Sequence, residues 1–194
     1  MADQSDSDLT RRTALKSFSA AGVASLGVAL GAGSVTATPD GPRIEIESSG
    51  SGKYAILIDD NAEAGSGTPD DNVNNTSGST ALQGEIEEGE THVFHTESAN
   101  ITYASLRGSV LVDVWDPNDV DSAGELTVQG NDTDYLVNVT GKIYAGDNTG
   151  EIDDEQATGG GDDYEHDYAA SGTINALHSV PNDSSSNVIF EHNL

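Results

Sequence analysis

Hydrophobic and polar residues alternate with a period of two along most of the chain after residue 38. Residues 43–47 alternate strictly, residues 110–115 place three valines on one side, and residues 54–58 are apolar on both faces. Alternation of this kind is typical of half-buried β-strands, and a short apolar run indicates a central strand. The 3.6-residue period of amphipathic helices is nearly absent. Because Gly-, Asn- and Asp-rich stretches separate the segments, the pattern predicts an all-β fold of antiparallel strands.

The order of these segments occurs twice, which predicts an internal duplication. The first β repeat occupies residues 38–123 and the second occupies residues 124–194. The matched pairs are 44–46 with 126–128, 53–58 with 134–139, 92–94 with 166–168, and 111–115 with 188–190. A chance resemblance between short strands is the alternative explanation.

Two arrangements of the duplicated halves are consistent with this pattern. Each half could form a small β-sandwich of its own, but such a short unit would bury only a thin core. Alternatively, both halves contribute strands to one antiparallel β-sandwich with a continuous core. We favour the shared β-sandwich, because neither half is apolar enough to stand alone.

The first 37 residues differ from the rest of the chain and predict an export signal. Arg11 and Arg12 precede an uncharged run from residue 17 to residue 39, and Ala37 ends a small-residue cleavage pattern. A basic start, an apolar middle and small residues at the cut describe a secretory signal peptide. The paired arginines and the Gly-rich, weakly hydrophobic run favour the twin-arginine (Tat) route, which carries folded chains. An uncleaved transmembrane anchor is the alternative.

The net charge distinguishes this chain more strongly than any of its motifs. The chain has 34 acids, 7 bases and a net charge of −27, and the leader holds three of each, so residues 38–194 keep the whole excess. Self-repulsion of this size disfavours a compact state in dilute buffer, whereas at molar salt the Debye length is about 3 Å. We therefore expect a halophilic protein. The same charge argues against binding to nucleic acid or to anionic membranes.

The overall pattern resembles a group of twin-arginine-exported, secreted, β-rich haloarchaeal proteins of uncharacterised function. The resemblance covers residues 42–116 and, more loosely, 124–191. It depends on the strands of residues 43–58, the Gly-Ser-Thr of residues 78–80, Gly84 and the His-Val-Phe of residues 92–94. The group implies a location outside the cytoplasm and a β architecture, and it implies no activity.

Six Asn-x-Ser/Thr sequons beyond the leader predict N-glycosylation, although a chain rich in Asn, Ser and Thr also produces such triplets by chance. The best candidates are the two in a predicted loop, Asn74 and Asn75. The other four sequons begin at Asn100, Asn131, Asn138 and Asn182.

Two acidic turns are candidate calcium-binding sites, because Ca²⁺ prefers hard oxygen ligands. One such turn contains Asp116, Asn118, Asp119 and Asp121, with Glu125 close behind, and residues 147–154 are similarly acidic. The spacing lacks the alternate ligands and central glycine of an EF-hand. Solvated loops are therefore the favoured interpretation, and no cofactor is predicted apart from weak Ca²⁺ binding.

Other candidate chemistry is sparse. The chain has no cysteine, which excludes disulfides, thiolate nucleophiles and Cys-ligated metals, and it has no Gly-x-Ser-x-Gly sequence. His92 and His95 are three apart, so a strand sends them to opposite faces and they cannot chelate one metal. Trp115, Tyr103 and Tyr168 are candidates for a shallow sugar-binding face, although core positions explain them equally well.

These observations predict an exported structural or adhesive β module of the cell envelope or the extracellular space, without catalytic activity. Its expected partners are envelope components or glycans. A carbohydrate- or Ca²⁺-binding accessory protein is the alternative, and a secreted hydrolase is the third interpretation.

Overall fold

Antiparallel β-strands make up most of the part of the chain that the computed structural model describes, which is residues 41–65, 67–69, 72–115, 123–183 and 185–193. None of these residues lies in an α-helix. The fourteen strands of the described chain are β1 (Arg43–Ile58), β2 (Ala62–Ala64), β3 (Val73–Thr76), β4 (Ser79–Ile86), β5 (Thr91–Thr96), β6 (Ile101–Trp115), β7 (Ala123–Asn131), β8 (Thr133–Val139), β9 (Ile143–Ala145), β10 (Glu151–Asp153), β11 (Gln156–Gly159), β12 (Asp163–Ser171), β13 (Ile174–Pro181) and β14 (Asn187–Asn193).

Two long strands, β1 and β6, pair with each other along their whole length and organise the sheet. The register between them shifts between Ser48 and Gly52, and Gly52 then lies opposite Gly108. On its other edge, β1 pairs first with β5 and then with β4, while β6 pairs first with β14 and then with β13. A shift of register bends a strand and increases its twist, so each long strand belongs to two differently directed parts of the sheet.

The bends divide the sheet into two arms. The first arm contains the start of β1 and the end of β6, and the second arm contains the end of β1 and the start of β6. In order, the first arm runs β2-β5-β1-β6-β13-β8-β11-β10, and the second runs β3-β4-β1-β6-β14-β7-β12-β9.

The inner faces of the two arms pack on each other and enclose the core. Rings from opposite arms meet there: Tyr54 lies 6.1 Å from Phe94, and Tyr135 lies 6.0 Å from Phe190, between ring centroids. The buried hydrophobic residues form one cluster with members from both halves of the chain, including Ile44 and Leu177. A continuous interior therefore unites residues on both sides of position 123.

The rims of the two arms also approach each other. At one rim, the Ala62 amide of β2 donates to Asn75 Oδ1 of β3 over 3.1 Å. At the other, the Ile143 amide of β9 donates to the Asp154 carbonyl beyond β10 over 2.8 Å. The sheet therefore nearly closes on itself.

The prediction of an all-β antiparallel fold is confirmed. The predicted β-sandwich is not, because two separate stacked sheets are absent from the described residues: β1 and β6 carry hydrogen bonds from one arm into the other. The physical reason is that the glycines at positions 50, 52 and 108 let these strands bend where a sandwich would need them to end.

The pairings of the first half have counterparts in the second. β1 pairs with β5 at its start and with β4 at its end, as β7 pairs with β12 and β8 with β11. The duplication into residues 38–123 and 124–194 stays a prediction. The proposed leader, with Arg11, Arg12 and Ala37, lies outside the described residues. Within the described part of the chain, no helix is long and apolar enough to cross a membrane.

Candidate functional site

A tyrosine–histidine pair lies inside the first half. The Tyr54 hydroxyl oxygen of β1 is 2.7 Å from Nδ1 of His92 on β5, and Asn72 Nδ2 donates to the same hydroxyl over 3.0 Å. His92 is 5% exposed. Tyr54 stands opposite Gly84 of β4, where a Cβ would lie 2.7 Å from the phenol oxygen. Glycine at position 84 therefore makes room for the tyrosine side chain.

The second half contains a larger cluster of the same kind. The Tyr135 hydroxyl oxygen of β8 lies 2.7 Å from His166 Nδ1 and 2.5 Å from the Tyr168 hydroxyl, both on β12. Tyr135 stands opposite Gly159 of β11, where a Cβ would be 2.7 Å from its oxygen. The Gly150 amide donates to Tyr168 over 2.9 Å. These groups satisfy one another's hydrogen bonds, as buried polar groups require.

Burial favours the uncharged forms of the clustered tyrosines and of His166. Burial raises the pKa of Tyr54 and of Tyr135 above the normal phenol range, and the hydrogen bond with Tyr168 raises the pKa of Tyr135 further. Burial also lowers the pKa of His166 below its usual value. Near neutral pH the tyrosines are therefore phenols, and the uncharged imidazole of His166 is favoured, and these forms can hydrogen-bond inside a core.

The outer face of the second arm is unusual for so acidic a chain. Three rows of aligned residues cross β4, β1, β6 and β14 and together carry two bases and two acids. Leu57, in one of the two outer rows, is 42% exposed. We call this surface the neutral face. Its twelve residues are Ala81, Gln83, Glu85, Lys53, Ala55, Leu57, Tyr103, Ser105, Arg107, Asn187, Ile189 and Glu191.

A shallow cleft of about 420 Å³ adjoins the neutral face, between β14, β7 and β12. Two amide–carboxylate pairs line it: Gln129 Nε2 donates to Glu165 over 2.8 Å, and Asn131 Nδ2 donates to Asp163 over 2.5 Å. Paired amides and carboxylates of this kind offer hydrogen bonds to a polar ligand such as a sugar.

The outer face of the first arm carries the acidic group most perturbed by its surroundings. Asp113 of β6 lies between β1 and β13, opposite Glu45. Burial, and then the charges of Glu47 and Glu45, raise the pKa of Asp113 to about 6. Next to it, the Arg43 guanidinium donates to Glu45 over 2.7 Å and lies 4.6 Å from the centre of the Trp115 ring. Trp115 therefore makes a cation–π contact with Arg43.

Replacing Asp113 by Asn is expected to stabilise the protein at pH 7.5 and to change little at pH 3.5. Because the folded pKa exceeds the unfolded one, the folded state binds more protons between about pH 4 and pH 6, and the stability of the wild-type protein falls as the pH rises through this range. With partial exposure and molar salt, the gain should be about 1–2 kcal/mol. Thermal melts of Asp113→Asn at the two pH values measure it. Equal gains at both pH values would contradict the titration of Asp113.

The predicted calcium ligands are only partly described. Asp116, Asn118, Asp119 and Asp121 fall outside the described residues, and Glu125 is an exposed residue of β7. In the other acidic turn, Asp154 pairs with Lys142 over 3.1 Å and Asn148 donates to the Glu165 carbonyl. No described group of three or more acids or histidines is arranged to hold a metal ion.

The candidate histidines and aromatic residues of the sequence differ in burial and in the face of the sheet on which they lie. His92 faces the core and His95 is half-buried on the opposite side of β5. Tyr168 is buried, and Tyr103 lies half-buried on the neutral face. The Tyr135–His166–Tyr168 cluster was missed by sequence reasoning, although the matched segments aligned Tyr54 with Tyr135 and His92 with His166.

The six sequons differ in what their asparagine side chains do. Asn74 is exposed on β3. The amides of Asn75 and Asn100 bond within the fold, Asn131 bonds to Asp163, and Asn138 is half-buried in β8. Asn182 is half-buried, and its sequon ends at residue 184, outside the described ranges.

Comparisons of the chain with protein-family models, curated proteins and solved structures found no match.

Proposed function

We propose that this protein is an exported, non-catalytic structural or adhesive module that docks on the cell envelope through the neutral face. The neutral face is the observation that carries the proposal. On a chain of net charge −27, acids spread over the surface maintain solubility in brine. A surface that has no net charge and exposes a leucine contributes less to solubility than the acidic surface does. Exposed apolar surface of this kind is typical of sites that contact another molecule.

The composition of the neutral face suits contact with another polypeptide. Ala55 and Ser105 belong to the middle row, which carries no charge, whereas Leu57 and the four charged residues belong to the two outer rows. Lys53 pairs with Glu85 at one margin. Interfaces share this arrangement, with charge depleted at the centre and a polar rim.

The interior clusters support a non-catalytic role. The buried tyrosines and His166 bond to one another and have pKa values moved toward their neutral forms. Their contacts explain them as structural groups that join β8 and β12.

Replacing Leu57 by Glu is expected to release the protein from the envelope. Burial of a leucine contributes about 1.5–3 kcal/mol, so its loss should weaken docking about 10- to 100-fold. The measurement is the fraction of protein that sediments with envelopes in molar salt after expression in a haloarchaeal host.

Tyr144→Glu is the matched control, because Tyr144 is also an exposed large hydrophobic residue, 56% exposed, but belongs to β9 at the rim. It should leave sedimentation unchanged. Equal release by both variants, or a wild-type protein that never sediments with envelopes, would contradict docking through the neutral face.

Glycan binding is a second candidate, favoured by the cleft of about 420 Å³ with its amide–carboxylate pairs. A titration of the protein with neutral oligosaccharides in molar salt tests it. Gln129→Ala, at the cleft but outside the neutral face, should abolish a specific response and leave envelope docking intact.

A further inference from the structure

We infer that, among the five sequons whose residues are all described, Asn74 alone carries an N-linked glycan. The inference rests on the proposed export. If the chain folds before it crosses the membrane, a glycosyl transferase outside meets the folded protein. Which sequon reacts is then decided by the folded structure and not by the motif.

The chemistry sets the requirement. The side-chain amide nitrogen forms a bond with the anomeric carbon of a sugar carried on a lipid phosphate. The bond from that carbon to the phosphate oxygen breaks, and the amide proton leaves with the phosphate. An amide nitrogen that is buried, or that donates its hydrogens inside the fold, cannot enter this reaction without breaking native contacts.

Asn74 meets the requirement. It is exposed, and its side chain makes no hydrogen bond with a described residue. The backbone of its strand, β3, pairs with β4, and β2 approaches the other edge through the side chain of Asn75 and not through that of Asn74. Thr76, the hydroxyl residue of this sequon, is also exposed.

The neighbouring sequon of Asn75 fails although Asn75 is also exposed. Asn75 Nδ2 donates to the Ala62 carbonyl over 2.9 Å, and its Oδ1 accepts from the Ala62 amide over 3.1 Å. Thr80 Oγ1 donates to the same Oδ1. The Asn75 side chain therefore joins β2 to β3 and β4, and a glycan there would open this rim.

The sequons at Asn100 and Asn131 are blocked in different ways. Asn100 is 6% exposed, and its Nδ2 donates to Asp59 over 2.9 Å. Asn131 is exposed, but its Nδ2 donates to Asp163 over 2.5 Å. The hydroxyl residue of that sequon, Thr133, is 1% exposed and donates to the Asn131 carbonyl.

Asn138 fails because of its place in the sheet. Its strand, β8, pairs with β13 on one side and β11 on the other, so no backbone edge is open. Asn138 Oδ1 is buried without a partner in the described structure. Reaction there would need β8 to move away from its neighbours β11 and β13.

The test is peptide mass spectrometry on the full chain, expressed in a haloarchaeal host that glycosylates its exported proteins. We expect a glycan on Asn74 in most of the exported molecules and none on Asn75, Asn100, Asn131 or Asn138. Asn74→Gln should abolish it. Ser77→Ala is the matched control: it removes the Asn75 sequon, leaves the Asn74 sequon intact, and should keep full occupancy.

The possible results distinguish a failure of the glycosylation inference from a failure of the proposed export. An exported chain without a glycan on Asn74, or with one on any of the four blocked sites, overturns the inference and leaves export standing. A chain that stays in the cytoplasm overturns both. Export should stop when Arg11 and Arg12 are both replaced by Lys, and this pair of substitutions identifies the route.

Discussion

Replacing Gly108 by alanine is expected to destabilise the protein by about 2–5 kcal/mol, a large part of the stability of a typical domain. Gly108 has a φ of 85°, in the left-handed region that L side chains rarely adopt. A Cβ at this position would lie 2.3 Å from the Ser51 carbonyl oxygen and 2.9 Å from the Gly52 Cα. Both neighbours are backbone atoms, so relief requires β1 and β6 to separate.

The location of Gly108 explains why this effect should be global. It lies opposite Gly52, next to the register shift where both long strands bend from one arm into the other. The Ser179 hydroxyl of β13 donates to the Gly108 carbonyl over 2.7 Å, so the second half of the chain is bonded to the same point. Separation of β1 from β6 here would disturb both arms.

Gly78→Ala is the matched control. Gly78 has nearly the same φ, 86°, in the β3–β4 turn, but a Cβ there would meet no atom within 4 Å. Its substitution should cost only the backbone strain, about 1–2 kcal/mol. The measurement is the free energy of unfolding by denaturant in molar salt. Equal costs for the two variants would show that the close approach of β1 and β6 contributes nothing.

Removal of salt is expected to unfold the protein. Of the residues past the leader, only Arg43, Lys53, Arg107 and Lys142 are basic, against 31 acids. When ionic strength falls from about 1 M to 0.01 M, the Debye length rises from about 3 Å to 30 Å, so each carboxylate interacts with many others across the molecule. The ion pair of Lys142 with Asp154 is exposed and contributes little against this repulsion.

Circular dichroism and the fluorescence of Trp115 should report the loss of folding as salt is dialysed away, and its recovery when salt is restored. Glu87 and Glu88 are exposed in the β4–β5 turn, so Glu87→Gln with Glu88→Gln should move the transition to lower salt. Thr91→Ser, which leaves the charge unchanged, should not move it. A β-sheet spectrum that persists in dilute buffer would contradict the halophilic expectation.

The contacts within the tyrosine–histidine clusters could not be predicted from the sequence. Alignment of the two halves placed Tyr54 with Tyr135 and His92 with His166. The alignment did not predict that Tyr54 contacts His92 or that Tyr135 contacts His166. Tyr54 and His92, for example, are 38 residues apart and meet only because the inner faces of the two arms pack on each other. The same limit applied to the glycines opposite the tyrosines.

Alternation along the chain determined the strands, and the balance of acids and bases determined the electrostatic character of the protein. Both are local properties: a period of two assigns each side chain to one face of a strand, and charge is a sum over residues. The sequence alone therefore predicted an all-β antiparallel fold, and Ile44, Ile46 and Val112 are buried as their positions required.

Features that arise from contacts between residues distant in sequence became visible only in the folded protein. Tertiary structure joined the expected two sheets into one, because bends near Gly52 and Gly108 carry hydrogen bonds between the arms. It also separated Asn74 from Asn75, which are identical in type and adjacent in sequence, because only Asn75 meets Ala62. Adjacent residues on a strand point to opposite sides, and only the folded chain determines which neighbours each side meets.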